Sequence, residues 1–462
     1  MAKSQTTKRD EQREVSRRAL IKWSVAAGAA LGVSKARIFE ILEKTAGKGV
    51  AEAAATRTAR MSVHFDCGNG GLAWCTQMLP FPDIATAGNA TVSWNFVGQQ
   101  TVVAGAANKL VVGPATPGAS VAQHQWSAFL CGTNNTHNSN AQVSTWSLGA
   151  NSFPAIATAL QAAETAVIPV IAVGGVPVGT APGGATGAAV GNSSGMVGLF
   201  NSAASQAGGL LSNMADAQLY KTQYDAFIQL NRAANRSTTK TSYTTAQGAA
   251  KFLGTNLAAQ LTVTADDLVR YNITGNTDSA TAEIGRTLIT TAKAFGMGLT
   301  NSITLPWHRE DPHDAFDAGK VNTVPAALKD VLDGFFNDLT AKLDSVTMQP
   351  MIGNLVMTFM GDTFKDPGSR PGWGDGTPNN TNCVWVFHPG DIKSGWYGNI
   401  AADGNSAMGF DATGAPATYN GPLQASMALS SIAYSIAIRD DRAIQGFTGG
   451  AAFEPFTYRK DM

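Results

Sequence analysis

Three short apolar runs constrain this chain more than any other feature: "AVIPVIAVGG", "NLVMTFM" and "NCVWVFHP". Runs of this length, bounded by Gly, Pro and Asn, read as buried strands. The pattern between them is helical. In "VPAALKDVLDGFFNDLTAKLDSV", Leu328, Val331, Leu332, Phe335, Leu339 and Leu343 fall on one stripe at helical spacing. "PAIATALQAAE" and "PLQASMALSSIAYSIA" read as further helices, and "RMSVHFDCGNGGLAW" as a strand over Met61–Phe65 that ends in Asp66 and a glycine turn. "ATVSWNFVG" and "KLVVGP" read as additional strands, while 176–196 is so glycine-rich that it reads as a long loop. Strand and helix thus alternate at both ends of the chain, and 199–297 carries helical spacing that suggests an insertion or cap. The predicted fold is an α/β three-layer sandwich with a mostly parallel sheet, forming a single domain over 58–462.

The amino terminus has a different character. "SRRALIKW" is followed by "SVAAGAALGV" and then by alanine-rich sequence. A charged segment, a short apolar segment and small residues near a cleavage point make an export signal. Arg17 and Arg18 supply the twin-arginine signature. Residues 1–57 are therefore expected to be a signal and linker, with the twin-arginine translocase as the partner during export. The apolar run is well short of the ~20 residues needed to cross a bilayer. The mature chain is expected to lack a transmembrane segment and to reside in the periplasm or outside the cell, free or signal-anchored.

Composition narrows the partners. The charged fraction is 14% and the formal net charge is +0, which excludes a basic nucleic-acid surface. An envelope protein or a glycan is the partner expected from export and from the tryptophans, not from composition. The four cysteines are too few for a disulfide framework; a Cys67–Cys75 bridge and buried free thiols are the two alternatives.

The chemistry concentrates after the strands. "WHREDPHDAFD" holds His308, Asp311 and His313, and Asp-x-His in a turn has metal-ligand spacing. The loop "GDTFKDPGSRPGWGDGTPNN" presents Asp362 at a strand end and Asp375 between glycines, and Asp66 ends the first strand. Carboxylates and imidazole converging from separate strand ends would suit Zn, Ca, Mg or Mn, which could activate water against a phosphate or sulfate ester. Each aspartate taken alone also suits a turn or a helix cap. Trp373, Trp385 and Trp396 near this loop would suit stacking on a sugar or simple burial in a core. There is no Gly-x-Ser-x-Gly elbow and no lysine in the glycine-rich loop.

The order of these motifs resembles a family of twin-arginine-exported bacterial proteins, the domain-of-unknown-function 1501 family, related to alkaline phosphatases and sulfatases. "DCGNGGL" (66–72) is similar to the family's Arg-Gly-Gly-x-Asp-Gly-Leu, and "THNSNAQ", which contains His137, to its Ser-His-x-x-x-Ala-Gln. "EDPHDAF" resembles Trp-Asp-Thr-His and "DTFKDP" resembles Glu-Phe-Gly-Arg-Thr-Pro, with Lys365 in place of the arginine. "WGDGTP" resembles Gly-x-Asp-His-Trp-Pro, and "HPGDIKSGWYGNI", which contains Lys393, the family's Gly-Gly-Gly-Ile-Lys-Gly-Gly-x-x-Gly. The resemblance implies an alkaline-phosphatase-like fold and a metal site drawn from Asp66, Asp311, His313, Asp362 and Asp375. His137, His308, Lys365 and Lys393 are further candidates. Gly70 replaces the first motif's aspartate and Gly376 replaces a histidine. Those losses imply a degenerate site with little or no catalysis. The retained Asp311-x-His313 keeps a reduced metal-dependent ester hydrolase as the alternative.

Overall fold

The computed structural model describes residues 57–68, 70–83, 101–102, 110–118, 121, 125–133, 145–164, 166–204, 256–309, 320–344, 346–361, 364, 378–404 and 406–459. The chain divides into two compact units. The smaller comprises Met1–Ala55, Thr165–Ile168 and Ser194–Thr262, and the larger Thr56–Glu164, Pro169–Ser193 and Val263–Met462. In the smaller unit, Leu257–Leu261 is a short helix capped by Asn256, whose side chain accepts the Ala259 N–H at 3.0 Å.

The larger unit is built on one eight-stranded sheet. Its strands are β1 (Met61–Asp66), β2 (Trp126–Cys131), β3 (Val170–Val173), β4 (Ala188–Val190), β5 (Ser302–Pro306), β6 (Leu355–Met360), β7 (Asn382–Phe387) and β8 (Gly395–Tyr397). Their spatial order is β8-β2-β7-β6-β1-β5-β3-β4. β7 alone is antiparallel to its neighbours β6 and β2, and every other pairing is parallel. The other seven strands therefore share one direction and end on one common edge, the carboxyl edge.

Helices cover both faces. On one face, α3 (Ser279–Met297) and α4 (Lys320–Ala341) pack on each other, and α1 (Leu72–Met78) packs on α4. Phe336, next to the expected apolar stripe, stacks on Phe387 at 4.4 Å and meets Trp126 edge-on, while Phe65, Trp307 and Phe359 interlock beside them. On the other face, α2 (Phe153–Leu160) and α5 (Gly421–Ile436) close a core with Phe129, Val356, Met360, Val384 and Val386. An apolar core on each side of the sheet, covered by helices, makes this an α/β sandwich, as the alternating pattern predicts.

β1 differs from the strands beside it. Met61, Val63 and Phe65 point into the aromatic layer, whereas Ser62, His64 and Asp66 are polar and equally buried. Ser62 pairs with Ser302 at 2.9 Å and His64 Nδ1 with Thr358 Oγ1 at 2.8 Å, so a polar seam crosses β5, β1 and β6.

Several expectations need revision. The segment 176–196 is not structureless: Ala188–Val190 forms the edge strand β4, parallel to β3, and a helix begins at Ser193. Three small residues among glycines are too few to show a period, and the pairing comes from the neighbouring strand. Of the region expected to be a helical insertion, Ser279–Met297 is a layer of the sandwich itself, packed on α4 and β5. β2 and β8 carry no expectation from the sequence. The expected strand 90–98 lies outside the described residues. Val111–Val112 is a strand as expected, paired antiparallel with Thr101–Val102 in a separate ribbon. Among the described residues, no helix is long and apolar enough to cross a membrane.

Candidate functional site

Asp66 ends β1 at the middle of the carboxyl edge, with Pro306 of β5 and Met360 of β6 in register on either side. The ladders run one residue further: the Trp307 N–H donates to the Asp66 carbonyl at 2.8 Å and the Cys67 N–H to the Met360 carbonyl at 3.0 Å. This backbone frame fixes where the carboxylate stands. The side chain is fully buried. Its Oδ1 accepts the Gly68 N–H at 3.0 Å, and its Oδ2 is paired with Nη2 of Arg309. A buried carboxylate is stable only with such partners, and a charge-assisted bond from a guanidinium is the strongest one a chain can supply.

A glycine makes room for it, and another shapes the turn that follows. Gly361, directly after β6, has φ +130, and a Cβ there would stand 3.1 Å from Asp66 Oδ1. Its backbone is held on both sides, with its N–H donating to Thr145 Oγ1 at 2.8 Å and its carbonyl accepting Asn382 Nδ2–H at 3.1 Å. Gly70 has φ +85, a conformation in which a side chain is strained. The glycine that replaces the resembled family's aspartate is thus also what this turn requires.

His308 and Arg309 are sequence neighbours that serve different partners. His308 is buried, with Nε2 at 3.1 Å from Asp278 Oδ1 and its ring edge-on to Trp74 at 5.6 Å. Asp278 caps α3 by accepting the Thr281 N–H at 2.9 Å. Burial alone would raise the Asp278 pKa, but the hydrogen bonds from His308 and Thr281 hold it below the usual carboxylate range. Arg309 turns to Asp66 and remains about a third exposed (32%). Among the described residues it makes no other ion pair or hydrogen bond.

Of the residues picked out by sequence, the structure places Asp66 and His308 at the carboxyl edge. Asp311, His313, Asp362, Asp375, His137 and Lys365 lie outside the described residues. Lys393 is at the opposite edge, away from Asp66. Its Nζ donates to the Pro455 carbonyl at 2.7 Å, and its own carbonyl accepts the Tyr397 and Ser127 hydroxyls. Lys393 is a structural tie there. Trp385 and Trp396 are buried and edge-on to each other at 5.6 Å, so they belong to the core and offer no stacking platform. All four cysteines are buried free thiols, which settles the Cys67–Cys75 alternative. His64 lies within β1.

Arg309 is the residue that the sequence reading passed over. It stands inside the same "WHREDPHDAFD" string, between the histidine and the aspartates that drew attention. A cation three residues beyond one strand, opposite an aspartate ending another, was the available signal. Among the described residues, no group of three or more His, Cys, Asp or Glu side chains is placed to hold a metal ion. Compared with known proteins, the chain matches no family model, no curated sequence and no solved structure.

Proposed function

We propose that this chain is an exported protein of the alkaline-phosphatase and sulfatase type whose carboxyl-edge site is retained for binding and has little or no catalysis. The observation that carries this reading is the pairing of Asp66 with Arg309. A strand-end carboxylate can attract a divalent ion only while its charge is uncompensated. Here the chain's own guanidinium supplies that compensation, and Gly68 takes the other oxygen. A metal at Asp66 would have to displace a buried ion pair and stand beside a fixed positive charge. The twin-arginine segment supports a location in the periplasm or beyond, and an envelope protein or glycan as the partner.

The retained Asp311-x-His313 favours the alternative, a metal-dependent hydrolase of phosphate or sulfate esters that uses Asp311, His313, Asp362 and Asp375 with Asp66. Elemental analysis of the full chain, purified after export, separates the two. The binding reading expects no stoichiometric Zn, Ca, Mg or Mn and no turnover of aryl phosphate or aryl sulfate esters. A stoichiometric metal that is lost in the Asp311→Ala, His313→Ala double variant, together with ester turnover, would overturn it.

A further inference from the structure

We propose that a cleft beside the end of β2, at the start of α5, binds a neutral glycan. It is a separate site: β7 and β6 stand between β2 and the strand that bears Asp66.

The cleft has a volume of about 710 Å³, a size ordinary for small-ligand sites. Its walls are the chain just after β2, the first turn of α5 and part of a ribbon of three short strands, Asn399–Ile400, Ala407–Phe410 and Pro416–Ala417. These parts are tied together. The Gly132 N–H donates to the Gly421 carbonyl at 2.9 Å, and a Cβ on Gly421 would stand 1.9 Å from the Gly132 carbonyl oxygen. Gln424, buried in α5, accepts the Asn420 N–H and donates to the Phe410 carbonyl, both at 3.0 Å. The walls are therefore set before a ligand arrives, which lowers the cost of binding.

Three polar groups of the lining have capacity left over. Asp411 Oδ1 accepts the Thr413 hydroxyl at 2.6 Å and the N–H groups of Thr413 and Ala415 at 2.7 and 3.1 Å, while Oδ2 has no partner among the described residues. The Thr413 hydroxyl, with the backbone amides, holds the Asp411 pKa below the usual carboxylate range, so an ionised acceptor lines the cleft. Asn420 caps α5 by turning Oδ1 to the Leu423 N–H at 3.5 Å, which leaves its Nδ2 donors open. Thr418 is exposed and offers a hydroxyl that can give and accept. Apolar surface lies beside them: Leu423 is 49% exposed, and the ring of half-buried Tyr419 is fixed by its hydroxyl bond to the Gly132 carbonyl.

This set selects the class. No lysine or arginine is among the described residues that line the cleft, and Asp411 repels an anion. A hard cation needs several oxygens, whereas the open group of Asn420 is a donor. A sugar hydroxyl donates and accepts at once, so neighbouring hydroxyls satisfy a carboxylate, an amide N–H and a threonine together. The C–H face of the sugar then covers Leu423 and Tyr419.

Calorimetric titration of the full chain with lactose, maltose, cellobiose and diacetylchitobiose, alongside a glycan microarray, tests this. Saturable binding of a neutral saccharide is expected, half-complete at about millimolar concentration. Asp411→Asn, which keeps the shape and removes the charged acceptor, should raise that concentration about tenfold, and Thr418→Val about threefold. No neutral saccharide bound above background in either format overturns the proposal, as does wild-type binding by both variants. Should Asp411→Asn not fold, unchanged binding by Thr418→Val overturns it equally. Calcium chloride and tetramethylammonium chloride are titrated in parallel; saturable binding of either, with none of the sugars, assigns the cleft to a cation and overturns it too. A bound metal with ester turnover would sink the reading of the Asp66 edge and leave this site standing, so the two failures are distinguishable.

Discussion

The two edges of the sheet each carry a buried aspartate paired with arginine, and they use the pairing differently. At the amino edge, Asp391 is 1% exposed and surrounded: Arg60 Nη1 reaches it at 2.7 Å, Arg439 Nε at 2.6 Å and Ser435 Oγ at 2.9 Å. Arg60 also donates to the Ser435 carbonyl, and Arg439 to the Arg459 carbonyl. Burial draws the Arg60 pKa down and the Asp391 charge opposes that. Close by, Arg57 bridges Glu164 and Asp344, and Glu164 gathers the backbone N–H groups of Thr58 and Ala59. These networks join segments distant in sequence into one rim. At the carboxyl edge, Asp66 has one arginine and one glycine amide from the described residues, and that arginine is partly open. The first arrangement uses its donors to hold the fold. The second leaves donors of Arg309 without a partner among the described residues.

Removing the amino-edge anion should have the largest effect. Asp391→Ala leaves two arginines without their buried counter-charge, and a loss of about 3–5 kcal/mol is expected in chemical denaturation. A loss under about 1 kcal/mol would show that the rim is no more than surface decoration.

A proton tests the seam between the edges. Burial lowers the His64 pKa from 6.5 to about 3, so the folded state stays neutral where the unfolded chain takes up a proton. Stability is then full above pH 6.5 and falls with acidification from 6.5 towards 3, at about 1.4 kcal/mol per pH unit. His64→Gln should reduce the slope of stability against pH by about one proton. An unchanged slope would show that other groups dominate the acid limb.

Arg309→Gln should fall below Asp391→Ala, at about 2–3 kcal/mol by denaturation. It strips the buried Asp66 carboxylate of a counter-charge that is itself partly solvated, while the glycine amide remains. If Arg309→Gln destabilises the chain as much as Asp391→Ala, the contrast between the edges fails. Gly361→Ala introduces a Cβ beside the Asp66 carboxylate at a positive φ. It is expected to cost about 1–2 kcal/mol in thermal or chemical unfolding. A neutral result would mean that the carboxyl edge can relax, in contrast to the rim.

Much of the scaffold was legible before the structure. "NLVMTFM" and "NCVWVFHP" became β6 and β7, and the stripe through Leu328, Phe335 and Leu339 became the buried side of α4, whereas Leu343, expected on the same stripe, lies beyond the helix end and is exposed. Continuous burial and helical periodicity are properties of a segment, so the segment displays them. β4 and β8 were not legible, because three residues of edge strand take their conformation from a neighbour. The site was half legible. Asp66 announced itself as a polar residue ending an apolar strand, but its partner did not.

The amino-acid sequence by itself determined that strands and helices would alternate, which helix stripe would be buried, and that an aspartate would end the first strand. The tertiary structure alone decided that β5 and β6 flank β1, that β7 runs against the rest, and that Asp66 meets Arg309 across 243 positions of chain. The division has a physical cause. Burial and periodicity are summed along a segment, whereas register and ion pairing depend on which strand ends become neighbours. No local pattern in the chain records that outcome.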